Sequence, residues 1–315
     1  MTEKLSKNAF DKARCFIEQH ARDLERTRFA HHFGNQPGNA VYEALKEYQN
    51  PDNGFGRALE PDLRTPDSSV LCTSIAFQIL RATEGKADPT LVSSAMTYLL
   101  HTLNSKTGHW RIIPKAAESY PHAPWWNQAG REEHFDAFGL NPTAEILGYL
   151  YDYAEHVPVR VITQATKQVM ENISALETIE MHDLLCCLRL LRTKSLPKAI
   201  HKRLLRDMKP LVDAAVAWEP EQWQGYALQP LQVIQGPSSP FMAGHEQAVA
   251  ANLDQLIDSQ DDDGSWPVSW SWGDAYPEAW PKARREWAGC LTLANLLVLR
   301  AFDRITTEDD KTGRQ

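Results

Sequence analysis

The heptapeptide Gln260-Asp-Asp-Asp-Gly-Ser-Trp266 has two relatives in the same chain, Gln49-Asn-Pro-Asp-Asn-Gly-Phe55 and Asn104-Ser-Lys-Thr-Gly-His-Trp110. In each copy an amide side chain comes first and an aromatic comes six residues later. A residue tolerant of left-handed backbone (Asn53, Gly108 or Gly264) stands fifth. Such a residue serves a chain leaving a helix C-terminus, because the left-handed turn lets it satisfy the last carbonyls. The aromatic then folds back over the helix end, and the amide reaches free backbone groups at a neighbouring terminus. The motif therefore reads as a structural clamp. Asp52 and Asp263 inside it read as turn residues before they read as catalysts.

The copies set a period. Gln49 and Asn104 lie 55 residues apart, and Asn104 and Gln260 lie 156 apart, close to three units of about 52. A unit of that size holds one helical hairpin, and six would account for the 315 residues. A degenerate copy stands at Trp223-Gln224-Gly225-Tyr226.

Outward from the clamps, apolar residues recur at three- and four-residue intervals, as in Leu71, Ile75, Phe77 to Ile79 and Leu91, Ala95, Tyr98 to Leu99. The spacing predicts helices near 5–26, 37–48, 67–84, 88–103, 141–154, 159–174, 178–194, 197–217, 242–259 and 283–303, with no series of strands. Asp67, Asn141 ahead of Pro142, and Ser195 ahead of Pro197 are the expected caps. Hairpins that alternate outer and inner helices can close into an all-α ring, an α/α-toroid with an axial cavity. The segments DSSVLCTSIAFQIL, NPTAEILGYLY, HDLLCCLRLL and EWAGCLTLANLLVL are apolar on both faces and suit inner helices. The expected organisation is one toroid domain over 1–305 and a polar tail over 306–315 that frays.

Composition narrows the function classes. Hydrophobic residues make up 43% and charged residues 23%, values of a folded globular chain. The net charge of −8 argues against a nucleic-acid binder. The basic run Lys198 to Arg206 reads as the solvated face of an outer helix. The five cysteines lack framework spacing, and buried reduced thiols are expected. The segment MTEKLSKNAFDKAR has no apolar signal core and no apolar run is long enough to span a membrane, so a cytoplasmic protein is expected.

The Gln260 to Trp266 clamp resembles the QW motif of squalene–hopene and oxidosqualene cyclases. The stretches YQNPDNGFGRALEPDLRTPDSS, FGLNPTAEILGYL and WSWGDAYPEAWPKARREWAGCLTLANL extend the likeness to bacterial prenyltransferase-like and squalene-cyclase-like proteins. That resemblance covers most of the chain and implies the toroid. It implies an activity only in outline, because the family's catalytic signatures are missing. There is no DxDD acid motif, no DDxxD, and no Asp-x-Cys zinc pair. Asp261-Asp262-Asp263 lies inside the clamp.

Three acidic positions are the candidate catalysts. Glu60 and Asp62 flank Pro61 at the entry to an inner helix and could serve as acid, base or cation stabiliser, or could cap the helix and pair with Arg57 or Arg64. Glu145 stands in the apolar run AEILGYL, where a carboxylate is either buried with a partner or open to the cavity. Asn141 opens the same helix and is a candidate ligand contact. His134, Asp136, His182 and Asp183 are metal-ligating types at helix openings, yet capping is the simpler role; His182 is kept as a ligand contact, and no metal or cofactor is predicted. Long loops at 110–140, 218–241 and 266–282 hold most of the ten tryptophans. Trp125, Trp126, Trp270, Trp272, Trp280 and Trp287, joined by Trp223, could line a ligand site or pack the loops over helix ends, and Glu278 and Glu286 flank two of them.

Three functions follow. An enzyme could hold an apolar, isoprenoid-like small molecule in the cavity, with carboxylates as acid or base. A carbohydrate-active hydrolase or lyase could use tryptophans and paired acids in a groove. A repeat-built scaffold could bind without catalysis.

Overall fold

The computed structural model describes residues 3–83 and 88–306. In chain order the first helices are α1 Lys7–His20, α2 Asp23–Phe33, α3 Gly38–Lys46, α4 Val70–Ala82, α5 Pro89–Thr102, α6 Glu132–Asp136 and α7 Leu140–Asp152. They continue with α8 Val159–Ser174, α9 Met181–Leu191, α10 Lys198–Ala215, α11 Pro230–Val233, α12 Glu246–Asp258 and α13 Trp280–Ala301. Among the described residues no β-strand forms, and only isolated bridges occur, such as Leu5 with Ile305. The chain is all-α. Of the tail expected to fray, 307–315 lie outside the described residues, as does Glu84 at the end of the helix predicted over 67–84.

Several boundaries differ from those that periodicity predicts. The helix expected over 5–26 breaks where Ala21 and Arg22 are extended, with ψ of 162° and 160°. The Arg22 guanidinium then grips both Glu25 oxygens at 2.7 and 2.8 Å and anchors the first turn of α2, a second helix that periodicity missed. Ser69, not Asp67, caps α4, its hydroxyl accepting the Cys72 N–H at 2.9 Å. Glu180 caps α9 by accepting from the backbone of His182 and Asp183. Asn141 is non-helical and does not cap with its side chain; its own N–H donates to Asp183 at 2.8 Å. Helix α13 begins at Trp280, with Pro281 in its first turn, where a missing N–H costs nothing. Cys15 is exposed, against the expectation of five buried thiols; Cys72, Cys186 and Cys187 are buried. The Lys198 to Arg206 run does face solvent, and Arg206 reaches Asp207 at 2.7 Å.

The clamps form as the motif implies. Each places its fifth residue at positive φ: 71° at Asn53, 77° at Gly108 and 90° at Gly264. In each, a backbone N–H at the start reaches the carbonyl of the sixth residue, at 2.9, 3.0 and 2.9 Å. The Gln49 and Gln260 amides both donate to the carbonyl of the fifth residue, at 3.0 and 2.9 Å. Asn104 is one methylene shorter and accepts the Lys106 and Thr107 N–H groups instead. The indoles of Trp110 and Trp266 donate to the Leu99 and Leu256 carbonyls, both at 2.7 Å, near the ends of α5 and α12. Asp52 and Asp263 accept from the backbone two residues on, which makes them turn residues. The degenerate copy does not close: Gly225 has no neighbour for a Cβ within 4 Å, and Tyr226 is exposed.

Each clamp also grips another helix. Gln49 donates to Ser94 of α5 at 2.7 Å, and Thr107 accepts from Gln168 of α8 at 2.6 Å. Gln260 donates to the Ala9 carbonyl of α1 at 3.1 Å.

The chain divides into two compact units. One comprises residues 37–215 with 274–276. In it α7 packs on α4 and α9, α8 and α10 pack on each other and on α7 and α9, and α5 packs on α4. The other comprises the described residues up to 36, 216–273 and those from 277 onward. There α13 packs on α1 and α2, and α11 on α12. The Leu5–Ile305 bridge and a 3.1 Å pair between Lys4 and Asp303 tie the two ends of this unit.

Helices α4, α7 and α9 run parallel, because their residues meet in the same order: Ser74 and Gln78 with Glu145, then Arg81 with Asp152 and Thr193. Gly148 allows this approach. A Cβ there would lie 2.4 Å from the Thr193 hydroxyl and 3.0 Å from an Arg81 nitrogen. Gly148→Ala should therefore destabilise by about 1–3 kcal/mol despite the better helix propensity of alanine. A urea midpoint at or above that of the parent chain would contradict this.

Candidate functional site

The parallel trio buries a polar cluster. Ser74 and Gln78 stand one turn apart on α4, Glu145 on the first turns of α7, and Arg189 on α9. Glu145 is 2% exposed, so its carboxylate must be fully satisfied within the protein. It accepts from the Ser74 hydroxyl, from the Gln78 amide on both oxygens (3.1 and 3.2 Å), and from Arg189 Nη1 at 2.8 Å. The Arg189 side chain keeps 35% of its exposure. Burial alone would favour its neutral form, but Glu145 beside it holds the guanidinium above its ordinary value.

Around this pair lie groups held neutral by burial. The Cys186 thiol, 3.5 Å from the Asn141 amide oxygen, is pushed well up by burial and then by Glu145. Tyr149 is likewise pushed up by burial; its ring stacks on Phe77 at 4.9 Å and lies under Arg81 at 4.4 Å. A second ion pair closes the C-terminal ends, Arg81 to Asp152 at 2.5 Å. The arrangement offers one half-open guanidinium backed by a buried carboxylate, with Thr143 Oγ1 buried and lacking a hydrogen-bond partner among the described residues.

The other predicted residues are distributed as follows. Glu60 and Asp62 are buried in the turn before α4. That turn is held to the 120s segment by Ala123 N–H on the Asp62 carbonyl at 2.9 Å and by Arg64 N–H on the Pro121 carbonyl at 3.0 Å. Neither acid is among the partners of Glu145. Arg57 turns to Asn50 at 2.9 Å and the Glu47 carbonyl at 3.1 Å. His182 is exposed at the α9 opening and meets the Glu180 carboxylate at 2.8 Å. Burial raises the Asp183 carboxyl, although the Asn141 N–H opposes this. Among the described residues no group of three or more acids, histidines or cysteines could hold a metal ion, so His134, Asp136, His182 and Asp183 form no such centre.

The tryptophans fall into separate groups. Trp125 is 40% exposed, while Trp126 packs beside Leu63, Ile113 and Phe135. In the other unit Trp270 meets Trp287 edge to face at 5.1 Å, and Trp272, buried, tilts against Trp280 at 5.4 Å. Trp223 is buried and donates to the Ala217 carbonyl at 2.7 Å. Glu278 is exposed and Glu286 half-buried.

Sequence reasoning found Glu145 but not Ser74, Gln78 or Arg189. The signal was present: these are the polar residues that face it from otherwise apolar helices, DSSVLCTSIAFQIL and HDLLCCLRLL. No protein-family model and no curated protein matches the chain. No helix among the described residues is long and apolar enough to cross a membrane.

Proposed function

We propose that the chain forms an α/α-toroid of the terpenoid-cyclase and prenyltransferase-like kind and binds a small organic molecule against α4, α7 and α9. The observation that carries this reading is the Glu145 cluster. An ion pair buried on one side and open on the other is costly as a structural device, since apolar residues of equal volume would serve as well or better. A ligand that meets Arg189 explains its retention. The ring itself is supported by the parallel trio and by clamps that join α3 to α5, α5 to α8, and α12 to α1.

In this reading Glu145 is the acid/base carboxylate, Glu60 and Asp62 contribute from the turn leading into α4, and an isoprenoid-like body lies on aromatic residues. The test incubates the full chain with linear polyprenyl diphosphates and follows both product and melting temperature. Turnover that falls by about 10²–10⁴-fold in Glu145→Gln is the expected result. Neither turnover nor stabilisation by any chain length would overturn it.

One observation favours a carbohydrate-active reading as the alternative. Trp125 and Tyr120 are 40% and 36% exposed in the same loop region, and flat open aromatic faces suit sugar rings. Release of reducing ends from oligosaccharides would select it. Ligand stabilisation without turnover would leave a non-catalytic binder.

A further inference from the structure

The unit that contains α1, α2 and α13 carries a cation with no hydrogen-bonded counter-ion among the described residues. Arg28 lies on α2, one turn after Glu25 and one turn before His32. Glu25, 1% exposed, is the carboxylate nearest in sequence, but both its oxygens are taken by Arg22 at 2.7 and 2.8 Å. Among the described residues the Arg28 guanidinium has no hydrogen-bond acceptor, and its Nε is shut off from solvent. The residue as a whole keeps partial exposure, so solvent reaches it. Leaving the Nε donor unmet in a desolvated place is costly.

A second orphan donor stands on α13, the helix that packs on α2. Trp287 Nε1 on α13 is buried and has no acceptor among the described residues. Trp287 lies one turn before Cys290, whose sulfur accepts from Arg22 at 3.3 Å and which lies within electrostatic reach of Arg28. Two guanidiniums thus draw on one carboxylate, Glu25. The surroundings record the excess of positive potential. His32 is pressed down to about 4, by burial first and then by Arg28 and Arg300. Burial also lowers Arg28 itself, with Glu25 opposing.

We infer that Arg28, with Trp287 Nε1 as second donor, forms an anion site that takes the carboxylate or phosphate group of a small molecule. The anion's oxygens supply the acceptors that the chain withholds, and a planar guanidinium matches either group bidentately. The site belongs to the α2–α13 face and does not depend on the Glu145 reading.

Titration of the full chain by calorimetry with sodium succinate, inorganic phosphate and diphosphate distinguishes the two sources. Saturable binding of one of them is expected, weakened at least tenfold in Arg28→Met and about threefold in Trp287→Phe, with Arg160→Met on the exposed first turn of α8 unchanged. Arg28→Lys, which keeps the charge but loses the fork, should fall between, and it serves if the methionine variant does not fold. No saturable binding by any of the three anions, or equal binding by wild type and the Arg28 and Trp287 variants, would overturn the proposal.

Discussion

Glu145→Ala is expected to lower the free energy of unfolding by about 3 kcal/mol, the lower end of what removing one partner of a buried ion pair costs. Three residues lose their acceptor at once. Ser74 and Gln78 are left with unmet donors in a closed space, and Arg189 keeps its charge. Because a third of the Arg189 side chain remains open, water offsets part of the loss, which is why the lower end applies. Glu145→Gln retains acceptor oxygen and volume, and should cost about 1–2 kcal/mol. Adding Arg189→Met to the alanine variant should recover part of the loss, because it removes the stranded charge. Urea unfolding with hydrogen exchange on α7 reads all three. A loss under about 1 kcal/mol for alanine would show that the pair contributes little.

Gly264→Ala is the second large effect, expected to cost about 3–4 kcal/mol. Left-handed backbone costs a β-carbon about 1–2 kcal/mol. Here the new atom would also meet the backbone of α1, 2.3 Å from the Lys12 carbonyl carbon and 2.6 Å from the Ala13 nitrogen, and backbone cannot rotate away. Gly225→Ala is the control, since its φ of 73° is similar and nothing lies within 4 Å. It should cost about 1 kcal/mol. Thermal melts of the two variants separate the contact from the conformation, and equal losses would mean that the clamp does not press on α1.

The clamps were legible because their chemistry is local. An amide, a left-handed turn and an aromatic at fixed spacing define a helix exit, and the hydrogen bonds of Gln49 and Gln260 repeat almost atom for atom. What the aromatic covers was legible too, since an indole must donate somewhere when buried, and Trp110 and Trp266 find equivalent carbonyls. The partners of the clamps were not legible, because Ser94, Gln168 and Ala9 carry no mark that sets them apart from other helix residues. The break at Ala21 was hidden for a related reason. Apolar periodicity runs through it, and the Arg22–Glu25 fork that begins the next helix is a matter of side-chain geometry. At the site, Glu145 was conspicuous as one charge in an apolar helix. Arg189 stood in the similar apolar run LLCCLRLL, but only the parallel packing of α7 on α9 makes the two a pair.

The unit made of the chain's two outer portions has a bearing on the order in which the protein can be built. Residues 37–215 are contiguous, so their helices can pack while synthesis continues. Helices α1 and α2 have no such freedom, because α13, which covers them, and the clamp that grips α1 are encoded more than 200 residues later. At about 5–20 residues per second, that interval is roughly 10–40 seconds. For that time α1 and α2, whose Phe16, Ile17 and Leu24 are buried in the finished fold, lack the helix that packs on them, and a nascent chain stalled before Trp280 would present them to chaperones without it.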